Sequence, residues 1–151
     1  MNIQTHEKYY LEIGEERHVL HEYSNVVQKV IFELESSGQG RIFLCADVGQ
    51  RPFWQRFFFG SSRYTRAYFM CEWAGSVYAL TFFDENDSEY NALTSQNLES
   101  INIGDGQNVT FGEPNPIKVS RCLSKDEAIN TLNEFFKYGS LPKLLRYDFV
   151  E

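Results

Sequence analysis

Apolar residues recur with two periods along this chain. Alternation with period two marks strands, and spacing of three and four marks helices. The clearest helical stretch lies near the end. Ser124 is a good N-cap and Glu127 sits three residues on, as a capping box requires. Ala128, Ile129, Leu132, Phe135 and Phe136 share one helical face. Gly139 is placed to close the helix in a left-handed conformation, and Pro142 forbids its continuation. The pattern predicts a helix over residues 125–138, with Phe135 and Ile129 buried, and a short strand over 144–150.

Upstream, residues 9–13 read as an opening strand. Ser24 is the expected cap of a helix carrying Val26, Val27, Val30, Ile31 and Leu34 on one face, stopped by the Ser/Gly-rich run at 36–40. Residues 41–48 form a nearly continuous apolar run, which predicts a strand buried on both faces. Residues 68–73 and 76–83 read as two strands of a hairpin turning at Ala74-Gly75. A further short strand is expected at 108–111. The predicted order is β-α-β-β-β-β-α-β. This is an α+β fold: one domain over residues 1–151, with a mainly antiparallel sheet packed by an N-terminal and a C-terminal helix. A length of 151 residues suits a single core.

The ending also carries a motif. A helix ending in Glu-Phe-Phe, three residues to a glycine, three more to a proline, and an apolar strand ending in an aromatic beyond resembles the first-numbered family of bacterial immunity proteins. The matching positions are Ala128, Glu134, Phe135, Gly139, Pro142 and Tyr147. The family often shows Arg where Leu141 stands and Trp where Tyr147 stands. The run from Val77 through Phe83 to Asp84 and Glu85 resembles the family's central strand and acidic turn more loosely. The resemblance implies a small cytoplasmic protein that binds one toxin domain of a polymorphic or contact-dependent growth-inhibition system as a one-to-one complex and blocks it. It implies no catalysis and no cofactor.

Charge adds a direction. Between residues 84 and 115 there are seven carboxylates and no lysine or arginine, which matches the net charge of the whole chain, −7. The bland explanation is a solvated loop. The functional one is an acidic face for a basic partner such as a nuclease or nucleic-acid deaminase toxin, where complementary charge speeds capture. Asp84, Glu85, Asp87 and Glu89 are the expected toxin-facing acids, with Trp73 and Tyr90 as anchors. A second candidate interface is Arg51, Trp54, Arg56 and Tyr64, within an arginine- and aromatic-rich segment at 50–68. Such a mixture also suits single-stranded nucleic acid. The sequence pI of about 5.0 argues against nucleic acid as the partner.

Other chemistry fails to assemble. His18 and His21 lack a third ligand at zinc spacing. Asp84, Asn86 and Ser88 start like a calcium loop, but Glu89 replaces its glycine and Ser95 its final glutamate. Cys45, Cys71 and Cys122 form no C-x-x-C pair. No apolar run approaches the length of a membrane span, and no secretory signal opens the chain, so the expected location is the cytoplasm.

Overall fold

A computed structural model describes residues 3–50, 54, 63–95 and 118–150. Its strands are β1 (Tyr9–Ile13), β2 (Glu16–Leu20), β3 (Gln39–Gln50), β4 (Arg63–Ala74), β5 (Val77–Phe83), β6 (Glu89–Leu93) and β7 (Arg146–Val150). Its helices are α1 (Tyr23–Ser36) and α2 (Lys125–Tyr138). The seven strands make one sheet in the order β2-β1-β3-β4-β5-β6-β7. Every neighbouring pair is antiparallel. The α+β class expected from the pattern is the class observed. No helix among the described residues is long and apolar enough to cross a membrane.

Strand alternation decides which residues form the core. Register sets Leu11 against Leu44, Leu44 against Phe69 and Phe69 against Phe82, so one row of side chains crosses four strands. All four are buried. Both helices close on this face. Val26, Val30 and Leu34 of α1 join the same core cluster as Ala128, Leu132, Phe135 and Phe136 of α2. The Tyr23 hydroxyl donates to the Phe136 carbonyl at 2.5 Å and ties one helix to the other.

Helix α2 forms as its sequence dictates. Both halves of the capping box are present: the Glu127 amide donates to Ser124 Oγ, and the Ser124 amide donates to the Glu127 carboxylate, each at 3.1 Å. Gly139 caps the other end at φ 70°, and its amide donates to the Phe135 carbonyl at 2.7 Å. Beyond it, the Lys143 amide returns to the Glu134 carboxylate at 3.2 Å, and the Tyr147 hydroxyl donates to the Pro142 carbonyl at 2.6 Å. Five of the six motif positions therefore act in one local unit, and the sixth, Ala128, is fully buried. Phe135 is buried as expected, while Ile129 is only partly buried against the core.

Several expectations need correction. Helix α1 starts at Tyr23 with Glu22 as N-cap, and no side chain caps it, so Ser24 lies inside the first turn. Strand β3 is not buried on both faces. Ile42, Leu44 and Ala46 are buried, whereas Phe43 and Cys45 are half-buried and Arg41 is exposed, because both helices lie on the other side. The hairpin pairs Ala74 with Val77, which makes Gly75-Ser76 the two-residue loop. Strand β7 begins at Arg146, two residues later than expected. Strands β2 and β6 were not foreseen. The strand expected at 108–111 lies outside the described residues.

Candidate functional site

The acidic residues after β5 divide into two kinds. Asp84 is a structural acid. Its Oδ1 accepts from the Asn86 amide at 2.8 Å and the Ser88 amide at 3.0 Å, and its Oδ2 accepts from the Tyr90 hydroxyl at 3.3 Å. Its backbone closes the same turn, donating to the Ser88 carbonyl and accepting from the Asp87 amide, both at 3.1 Å. The Ser88 amide bond is the largest influence holding this carboxyl below the usual range, and the Asn86 and Tyr90 bonds add to it against desolvation. Hydrogen bonds to the ionised form favour it. Asp87 occupies the left-handed region at φ 61°, which an aspartate tolerates better than most residues. Glu85, Asp87 and Glu89 are exposed. These three stand exposed to solvent, whereas Asp84 is half-buried in the turn.

Beside the turn lies a cleft of about 350 Å³. Tyr68, Phe82, Tyr90 and Phe135 are among its lining residues, and Arg66, Asp84 and Glu85 line it as well. Gly139, Ser140 and Leu141, just past the C-terminus of α2, also line it. The sequence placed Asp84, Glu85 and Tyr90 together, and the fold does bring them to one cleft. Arg66 and Tyr68 were grouped with the other segment. A bulge explains why they belong here. Leu44 pairs with Phe69 but Cys45 pairs with Ala67, leaving Tyr68 as an extra residue in β4. Tyr68 and Phe69 are consequently both buried, and both meet the Phe135 ring, at 6.2 and 5.8 Å between centroids. Period-two alternation carries no sign of that shift.

Trp73 is not an anchor. It is 2 % exposed, its indole nitrogen donates to the Ser37 carbonyl at 2.9 Å, and its ring lies 7° from parallel with Tyr78. It packs over Gly40, where a β-carbon would come within 2.7 Å of the indole. It also sits beside the β4–β5 hairpin, at the opposite end of β5 from the acidic turn. A large aromatic beside an acidic run in sequence was here a core residue at the far end of a strand. Tyr90 is half-buried, with Phe149 against its ring at 5.1 Å.

In the second candidate set, Trp54 is 62 % exposed and Tyr64 lies on β4. Arg51 and Arg56 lie outside the described residues. His18 and His21 share no helix. His18 is on β2, 3.6 Å from Glu16, and His21 follows that strand with its ring near the Glu7 carbonyl at 3.3 Å. Among the described residues, no three histidine, cysteine or acidic side chains come together as a metal site would need. Cys45, Cys71 and Cys122 are free thiols. Burial raises the pKa of all three, that of Cys45 to about 12, which disfavours the reactive thiolate.

No protein-family model, curated protein or solved structure matches this chain.

Proposed function

We propose that this chain is a bacterial immunity protein that binds a cognate toxin domain one-to-one and blocks it by steric and electrostatic occlusion. It performs no chemistry of its own and acts in the cytoplasm of the toxin's producer. The toxin is a nuclease or nucleic-acid deaminase, an enzyme that must offer a positive surface to its substrate. The observation that carries this reading is the trio Glu85, Asp87 and Glu89, exposed on a rigid turn beside an aromatic cleft. A loop held by its own hydrogen bonds presents charge without a large ordering cost on binding. The family resemblance at Glu134, Phe135, Gly139, Pro142 and Tyr147 supports it as well, since these residues build the end of α2 that walls the cleft.

The test is co-expression with the toxic C-terminal domain encoded next to this chain's gene. A one-to-one complex that survives purification, with growth restored, is the expected result. A folded chain that neither protects cells nor co-purifies would overturn the proposal. A salt-dependent shift with single-stranded RNA or DNA would favour instead a nucleic-acid-associated regulatory module built on the 50–68 segment.

A further inference from the structure

The segment before β1, residues 3–8, is a strap held at separate points. Ile3 is fully buried in the core, and the Tyr9 hydroxyl donates to its carbonyl at 2.5 Å. Gln4 Nε2 donates to the carbonyls of Phe136 and Lys137 at the end of α2, each at 3.1 Å. The Asp47 amide of β3 donates to the Lys8 carbonyl at 3.0 Å. His6 sits among these points. It is 7 % exposed, its Nε2 is hydrogen-bonded to the Tyr68 hydroxyl, and its ring meets those of Tyr9 and Tyr68 edge-on at 5.9 and 5.6 Å. A cavity of about 490 Å³ is lined by residues 5–8 of the strap, residues 47–49 of β3, and His21, so this part of the strap borders open space. A proton on His6 would have poor surroundings. A protonated Nε2 is a donor and no longer accepts from a hydroxyl. Burial is the largest influence against the charge, and Arg66, stacked on Tyr68 at 4.5 Å, and the chain's amino group add like charge. Asp47 opposes them more weakly. Glu7 and Lys8 flank the ring in sequence, and the His21 ring stands 3.3 Å from the Glu7 carbonyl. Strand pairing in the sheet begins at Tyr9. The strap can therefore leave with every strand pair intact, giving up only the Asp47–Lys8 bond beside the ladder. Opening so small a unit costs less than unfolding a seven-stranded sheet.

We propose that residues 3–8 are an acid-released strap, with the His6–Tyr68 hydrogen bond as its latch: protonation of His6 frees the strap from α2 and β3 while the sheet stays paired. The proton reaches His6 by local opening and not by unfolding of the whole chain. Release uncovers the site of Ile3 and takes Gln4 from the last carbonyls of α2. The proposal is independent of any partner.

The experiment is native-state amide exchange on the ¹⁵N-labelled full chain between pH 8 and pH 5, corrected for the intrinsic pH dependence of exchange, with the Ile3 methyl signal followed in parallel. The Asp47 amide, bonded to the Lys8 carbonyl, reports the strap, and the amides of the β4–β5 ladder report the sheet. The expected result is an Asp47 opening constant that rises up to tenfold per pH unit below about pH 6.5, the ordinary imidazole value. The ladder amides should not follow it, and the Ile3 methyl should move over the same range. His6→Gln should remove the pH dependence, and His21→Gln should leave it in place. Tyr68→Phe, which keeps the ring and loses the hydroxyl, should raise the opening constant at pH 8 roughly fivefold, the worth of one hydrogen bond. Asp47 and ladder amides opening together with one pH slope would overturn the strap, because His6 would then be protonated only by global unfolding. So would an Asp47 opening that ignores pH, a slope that survives in His6→Gln, or a slope that vanishes in His21→Gln.

Discussion

The Tyr90 hydroxyl donates to Asp84 Oδ2 at 3.3 Å and so joins the acidic turn to the first residues of β6. The same carboxylate holds the Asn86 and Ser88 amides. One acid thus organises the loop that presents the others. Asp84→Ala should lower the melting temperature and loosen the turn, whereas Asp84→Asn, which keeps an acceptor oxygen, should lower it less. Amide exchange at Asn86 and Ser88 would check this. Protection unchanged in the alanine variant would show that the turn stands without its carboxylate.

Core truncation at Phe135 should be severe. Its ring meets those of Tyr68, Phe69, Phe82 and Phe136. Phe135→Ala should cost about 3–5 kcal/mol in denaturant unfolding. A loss under about 1 kcal/mol would mean that the site collapses around the missing ring.

Two glycines are fixed for different reasons. Gly139 needs its left-handed φ of 70°, so Gly139→Ala should cost about 1–2 kcal/mol. Gly40 has an ordinary backbone but lies under Trp73, so Gly40→Ala should cost about 1–3 kcal/mol through displaced packing. Equilibrium unfolding of each variant measures both, and the Gly40 substitution should also shift the tryptophan fluorescence.

Stability should fall with acid in two steps. His6 is buried, with its Nε2 bonded to the Tyr68 hydroxyl. Burial first, and then the charges of Arg66 and the chain's amino terminus, push its pKa below the ordinary imidazole value, against a smaller opposing pull from Asp47. The folded state therefore keeps His6 neutral while the unfolded chain takes up a proton. Stability is full above about pH 6.5 and declines as pH falls towards the folded pKa. His6→Gln should flatten that step. Asp84 and Glu127 produce the second. Burial raises the Glu127 carboxyl, but the bonds from the Ser95 and Ser124 amides and the Thr94 and Ser95 hydroxyls outweigh it, and the net shift is downward. Both carboxylates stabilise the fold above about pH 4, and their contribution is lost below it. Thermal unfolding from pH 8 to pH 3 would show whether the upper step disappears with His6.

The parts of this fold legible in the sequence are those with local causes. Helix α2 could be bounded to the residue because Ser124, Glu127, Gly139 and Pro142 act within their own turns. Strand β6 was invisible because its Asn91 is buried yet polar, satisfied at 2.7 Å by Thr81 on β5. No periodicity registers a polar pair that closes only in the folded sheet. Strand β2, with the polar sequence ERHVL at the sheet edge, offers little alternation to detect. The site followed the same rule. Asp84, Glu85 and Tyr90 are neighbours in the chain and could be grouped. Phe135 and Leu141 reach the cleft only through packing, and Arg66 and Tyr68 only through a bulge. Trp73 failed because nearness in sequence to an acidic run says nothing of which end of a strand a side chain occupies.

The most direct test of the proposed electrostatic occlusion is the association rate with the toxin domain proposed as partner, measured by stopped flow at low and at physiological salt. The variant should reverse Glu85, Asp87 and Glu89 to lysine and spare Asp84, whose loss would disturb the turn itself. Exposed charges steer encounter more than they hold the complex. The expected result is slower association with a flattened salt dependence, at an unfolding midpoint near the parent's. Association at the parent's rate at low salt would contradict the acidic face and move the search for the interface to Trp54 and the residues around it.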